Sequence, residues 1–139
     1  MMISKATGTF SVKLELQPAS VQADAAVIGR RSLDKQFHGD LEAGSSGEML
    51  SVMTDVDGSM AYVALEKVSG MLAGKHGSFV LQHASQMVRG QPFQSIRVVP
   101  DSATGDLLGL DGEMRIDIKD GEHCYVFEYS FSGPAGIME

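Results

Sequence analysis

Apolar and polar residues alternate one for one along most of this chain, and only short turn-forming clusters interrupt the pattern. Phe10, Val12, Leu14 and Leu16 interleave with Thr9, Ser11, Lys13 and Glu15, the period of a strand with one face buried. The same period of two returns at Ser32 to His38, Glu48 to Val56, Ser59 to Val68, Gly77 to His83, Phe93 to Val99, Glu113 to Ile118 and His123 to Phe131. Eight strands are therefore expected, with a ninth if Asp106 to Leu110 also pairs.

The interruptions decide how the strands connect. Asp57-Gly58 and Asp120-Gly121 supply the positive φ angles of a two-residue type I′ turn, so both predict tight antiparallel hairpins. Pro100 to Gly105 combines a strand-ending proline with small polar residues, which suits a longer hairpin loop. Parallel crossovers need a dozen or more residues, and these links are shorter. Only Ala19 to Ala26 has helical composition, and Pro18 and Gly29 confine it to about two turns. A pattern of Gly, two residues, Gly, one residue, then a large apolar residue recurs at Gly44/Gly47/Met49, Gly74/Gly77/Phe79 and Gly109/Gly112/Met114. These glycines are expected to relax the backbone at bends where the next strand begins. They do not read as phosphate loops, because no helix opens after them and no Lys-Ser/Thr follows.

With 139 residues, one domain is the natural count, read as 1–131. Residues 132–139 hold Gly133-Pro134 and Gly136 without any period, and are expected to form a flexible tail. The net charge of −7 and the lack of any basic run longer than Arg30-Arg31 argue against nucleic acid as a partner. No stretch has the length of a membrane span or a secretory core, so the expected location is the cytoplasm.

Several strands are apolar on both faces. Val63 and Leu65 oppose Met60, Tyr62 and Val68, Phe93 and Val99 oppose Ile96 and Val98, and Cys124 and Val126 oppose Tyr125, Phe127 and Tyr129. Two surfaces are being covered without helices to form a second layer. The economical solution is an all-β antiparallel meander closed into a small eight-stranded barrel, with part of its exterior buried in a homodimer.

Such a barrel is wide enough to be filled by side chains or to hold one small ligand. Polar residues on apolar faces bear on that choice. Lys35 stands between Leu33 and Phe37, Glu66 shares the face of Tyr62, Arg97 sits between Phe93 and Val99, Glu128 continues the Cys124 and Val126 face, and His83 extends the face of Phe79 and Leu81. If some share a lumen they must pair, because an unpaired buried charge is very costly. Equally, Lys35 and Arg97 can lie along apolar surface with their heads in water, Glu66 and Glu128 can reach solvent at the barrel rim, and His83 can be a satisfied rim histidine. The candidate ligand pocket comprises Phe37, Tyr62, Phe79 and Tyr125 as walls, with Lys35, Glu66, Gln82, His83 and Glu128 as polar groups. Gln82 and His83 are neighbours in one strand and must point opposite ways, so one of them lies outside any lumen.

No metal or cofactor motif is evident. His38, His76, His83 and His123 are dispersed, and the single cysteine, Cys124, reads as a small packing residue. No Gly-x-Ser-x-Gly elbow suggests a hydrolase. Nine methionines fit an adaptable interior or interface, and an apolar ligand equally. Three readings stand: a barrel binding an apolar or amphipathic small molecule, an isomerase or cyclase in which a carboxylate or His83 moves a proton, and a solidly packed, non-catalytic dimer. The residues alone do not decide whether the protein is an enzyme.

The ordered runs Asp34-Lys35-Gln36-Phe37-His38-Gly39-Asp40-Leu41-Glu42, Gly47-Glu48-Met49-Leu50, Gly77-Ser78-Phe79-Val80-Leu81-Gln82-His83 and Val98-Val99-Pro100-Asp101-Ser102 carry a resemblance. From about Lys5 to Phe131 the chain resembles the uncharacterised bacterial DUF3224 family. The resemblance implies a small β-barrel like that of allene oxide cyclase, a ligand-binding or cyclase-like scaffold. It brings no catalytic residues.

Overall fold

Eight strands follow one another round a closed antiparallel barrel, each paired with its sequence neighbours and the last closing onto the first. The computed structural model describes residues 2–18 and 27–132, for Val27 the backbone alone. The strands are β1 (Ser4–Gln17), β2 (Val27–Gly39), β3 (Leu41–Met53), β4 (Met60–Leu72), β5 (Lys75–Val88), β6 (Gln91–Val98), β7 (Leu110–Lys119) and β8 (Glu122–Phe131). The expected meander is thus observed, with most strands longer than their alternating stretches. The short helix expected at Ala19 to Ala26 and the tail beyond Ser132 lie outside the described residues.

The hairpin turns follow their backbone chemistry. Asp120 and Gly121 both take positive φ, 52° and 80°, the left-handed pair that matches the strand twist. Ala73-Gly74 and Arg89-Gly90 do the same, although neither Ala nor Arg advertises it. Asp57-Gly58 does not form the expected two-residue turn: only Gly58 has positive φ, and the link from Met53 to Met60 is a wider loop closed by Thr54 N–H to Ser59 O. Asp106 to Leu110 does not add a ninth strand, because Gly105–Leu107 coils into one 3₁₀ turn and Leu110 already opens β7.

That turn belongs to the connection from Pro100 to Gly109, which folds under one end of the barrel. Leu107 and Ala103 are buried in the core. The connection is held by Thr104 N–H to Ser78 O, by the paired Ser78 and Thr104 hydroxyls, and by Val80 N–H to Ser102 Oγ. Gly77 lies directly beneath it, and a Cβ there would run into the Thr104 carbonyl. Gly47 has a comparable constraint, since a Cβ would strike the backbone of Leu65 and Glu66. The repeated glycines therefore mark close backbone approach. Gly44 corrects the idea that each starts a strand, because it lies inside β3.

Burial changes along the barrel. At the plugged end the inward rows are packed solid by Phe37, Phe79, Tyr125, Phe127, Met114 and Leu41. Phe79 stacks on Phe127, and Phe37 meets Tyr125 edge-on. The Tyr125 hydroxyl accepts from Leu41 N–H and donates to His38 O, and burial raises its pKa. Towards the other end, the same inward rows become exposed. Ala6 and Phe10 give way to Val12, then to exposed Leu14 and Leu16, and Met114 gives way to Ile116, then to exposed Ile118. Among the described residues the barrel is a cup with a filled base.

The exterior is apolar in one region. Leu50, Val63 and Leu65 on the outward rows of β3 and β4 are exposed, the last two by 52% and 57%. They line an open hollow of about 570 Å³ together with Arg30, Glu48, Ala64, Gln82 and His83. The expectation of apolar residues on both faces of these strands thus holds.

Candidate functional site

The site begins with strand parity. On β2, Leu33, Lys35 and Phe37 share one row, so a lysine that follows the pattern must enter the lumen. On β4, Tyr62, Ala64, Glu66 and Val68 share a row, and on β5 so do Phe79, Leu81, His83 and Ser85. Glu66 does not reach solvent at a strand end, because β4 runs on through Leu72 and buries it completely.

Glu66 is the hub. Lys35 Nζ donates to Glu66 Oε1 at 3.1 Å, His83 Nε2 meets the same oxygen at 2.7 Å, and Ser45 Oγ donates to Oε2 at 2.5 Å. An ionised carboxylate only accepts, so His83 turns an Nε2–H towards it. Burial alone would push the Glu66 carboxyl up. The His83 hydrogen bond, the Lys35 charge and the Ser45 hydroxyl outweigh it and hold the group below the ordinary carboxylate value. The Lys35 side chain is 7% exposed, so its head does not escape to water. The ammonium lies 4.9 Å from the Phe10 ring centroid and 5.7 Å from that of Phe37, a cation–π setting that partly replaces lost solvation.

The cluster sits where packing changes. Beneath it lie the filled aromatic layers; above it the inward rows carry Arg31, Met49, Tyr62, Ser85 and Met87, all half-buried. The Tyr62 ring centroid is 6.4 Å from that of His83. Ser85, one step up the row from His83, has a buried hydroxyl with no partner among the described residues. A smaller hollow of about 190 Å³ opens at this rim between Met60, Tyr62, Ser85, Met87, Phe93 and Gln94. Here β6 and β7 have separated: their register holds at Arg97↔Glu113, while further up the Gln94 side chain accepts from Ile116 N–H.

Of the residues singled out from sequence, Lys35, Glu66 and His83 come together, with Tyr62 beside them. Phe37, Phe79 and Tyr125 form the floor and are too deeply packed to serve as open walls. Gln82 is corrected: it lies on the outward row, exposed, in the exterior hollow. Glu128 is corrected as well, since its outward row takes it to Arg115 at 3.2 Å. Arg97 also points outward, towards Glu113. Ser45 and Arg31 were missed. Ser45 falls in Gly44-Ser45-Ser46-Gly47, which reads as a turn, whereas Arg31 shares the parity of Leu33 and Lys35 and was legible from it. Among the described residues no three His, Cys, Asp or Glu side chains gather as a metal site, and no helix is long and apolar enough to cross a membrane.

Fold and lumen together define a plugged, eight-stranded antiparallel barrel with a buried Lys–Glu–His cluster. The chain belongs to the DUF3224 family, described as proteins of unknown function, whose profile matches residues 6–129. It is similar to a protein of unknown function from that family in Shewanella oneidensis MR-1, solved by crystallography at 1.84 Å: 47% identity, 95% of this chain and 100% of that chain covered, TM-score 0.91. None of the curated proteins matches this chain.

Proposed function

We propose that the protein binds an amphipathic small molecule in the open half of its barrel, with the polar end towards the Lys35–Glu66–His83 cluster. The observation that carries this is the position of the cluster. A buried ion pair is weak evidence for stability, since well-packed apolar residues of similar volume often do as well or better. Here it lies at the boundary between a filled base and an unfilled, Met- and Tyr-lined mouth, where few convergent polar groups in an apolar pocket would fix a ligand's orientation. Native mass spectrometry of protein purified from its own host tests the reading. A bound small molecule released on denaturation is expected, and its absence from both the native protein and its solvent extract counts against it.

The His83–Glu66 contact favours a second reading, a proton-transfer enzyme of the isomerase or cyclase type. A carboxylate that orients a histidine is the arrangement general acid–base catalysis uses. Solvent deuterium appearing in a bound carbonyl compound, and ceasing to appear with His83→Gln, would support it; unchanged exchange in that variant would remove it. The exterior face supports a homodimer: apolar Leu50, Val63 and Leu65 are flanked by ion pairs of both signs, Arg30–Glu48 and Arg97–Glu113. Such a face is self-complementary to a second copy turned through a two-fold axis.

A further inference from the structure

The chain carries 18 acidic and 11 basic side chains, yet its lumen has the opposite sign. Among the described residues, Glu66 is the one carboxylate on the inward rows. Glu15, Asp34, Glu42, Glu48, Asp111, Glu113, Asp117, Glu122 and Glu128 all fall on outward rows, and the remaining described ones lie in turns and connections. Two side chains of fixed positive charge, Arg31 and Lys35, are on the inward row of β2; Lys75 has inward parity on β5 only at the base, where it is exposed over the Phe131 ring. Glu66 neutralises Lys35, which leaves Arg31.

Arg31 stands one inward step above Leu33, roughly 7 Å further towards the mouth at about 3.3 Å per residue. On its two neighbouring strands Arg31 pairs with Leu16 and Met49. Barrel strands tilt, so contacts rather than register set the level: Lys35 meets Glu66 and Glu66 meets His83, and Arg31, two inward positions beyond Lys35, lies on the mouth side of that cluster. Among the described residues the guanidinium makes one long hydrogen bond, 3.4 Å from Nη1 to Ser51 Oγ, and pairs with no carboxylate. A guanidinium presents five donors in a fork matched to planar oxyanions.

We infer that the ligand of the open lumen is an anion: an apolar molecule whose carboxylate is held by Arg31 on the mouth side of the cluster, its apolar part against the inward rows of the open half, Leu14, Leu16, Met60 and Met87. This rests on the ligand-binding reading and adds the sign of the ligand to it. Calorimetric titration with octanoate and with 1-octanol, which share a tail and differ in the head, separates the two. Octanoate is expected to bind at least tenfold more tightly than 1-octanol. Arg31→Gln is expected to remove that advantage while leaving 1-octanol unaffected, and Arg31→Lys to restore part of it. Equal binding of the two compounds, or unchanged octanoate binding in Arg31→Gln, overturns the anionic assignment and leaves the ligand site standing. No binding of either compound overturns both. Because Arg31 is half-buried at the mouth, its variants keep the core intact, and an unchanged thermal midpoint checks this.

Discussion

At the scale of single residues the account turns on Glu66. Its carboxylate is the common partner of Lys35, His83 and Ser45, so truncating it strands a lysine whose side chain is nearly inaccessible. Glu66→Ala is expected to cost about 3–5 kcal/mol, the usual penalty for breaking a buried pair from one side, measured as a shift of the urea midpoint at constant m. A paired Lys35→Met, Glu66→Leu replacement is expected to recover most of that loss. Because the folded carboxyl is held below its ordinary value of about 4.3, its contribution is present in full above that value and is lost as pH falls through the folded pKa. Below about pH 4, Glu66→Gln should therefore show a flatter fall in stability than the parent, measured by urea titrations across the acid range. This cluster was largely readable beforehand, because period-two parity puts Lys35 with Phe37, Glu66 with Tyr62 and His83 with Phe79. The same parity separates Gln82 from His83, and Glu128 from Tyr125. Ser45 was not readable: two flanking glycines and Ser46 look like a turn, and the need for small residues there comes from close approach of β4, a tertiary fact.

At the scale of elements, the barrel owes its filled base to the connection between β6 and β7. Leu107 enters the core from a single 3₁₀ turn and is 1% exposed. Leu107→Ala is expected to destabilise by about 2–4 kcal/mol, within the range for buried leucines truncated to alanine, measurable by thermal or urea unfolding. Alternation identified this segment as a loop between strands but not as a plug. Leu107 and Leu108 are adjacent apolar residues with no period, and which one turns inward depends on Thr104 and Ser102 reaching Ser78 and Val80. The hairpins divide in the same way. Asp120-Gly121 announces its geometry, whereas Ala73 and Arg89 adopt positive φ because the strands on either side are already in register.

At the scale of the whole molecule, two surfaces compete for explanation: the mouth of the barrel and the exterior of β3 and β4. The larger hollow is the exterior one, and apart from Ala64 and His83 its lining is exposed or half-exposed side chains, Leu50, Val63 and Leu65 among them, which suits a protein surface better than a small ligand. Leu65→Glu is expected to turn a dimer into a monomer in sedimentation velocity while leaving the thermal midpoint of the monomer nearly unchanged; a parent chain that is monomeric at tens of micromolar contradicts the pairing. Alternation on both strand faces made the closed barrel and its second apolar surface legible. What it could not convey is the gradient from packed base to open mouth, because Phe10 and Leu16 follow the same period and differ only in where β8 stops pairing with β1.

The methionines provide the most direct test. Met49, Met53, Met60 and Met87 stand on the inward rows of the open half, whereas Met114 is sealed in the base and Met71 lies on the outer row. In a methyl-labelled NMR titration with octanoate, saturable shifts confined to Met49, Met53, Met60 and Met87 are predicted. Shifts at Met71 alone, or no saturable shift at any methionine, would contradict a ligand site in the lumen.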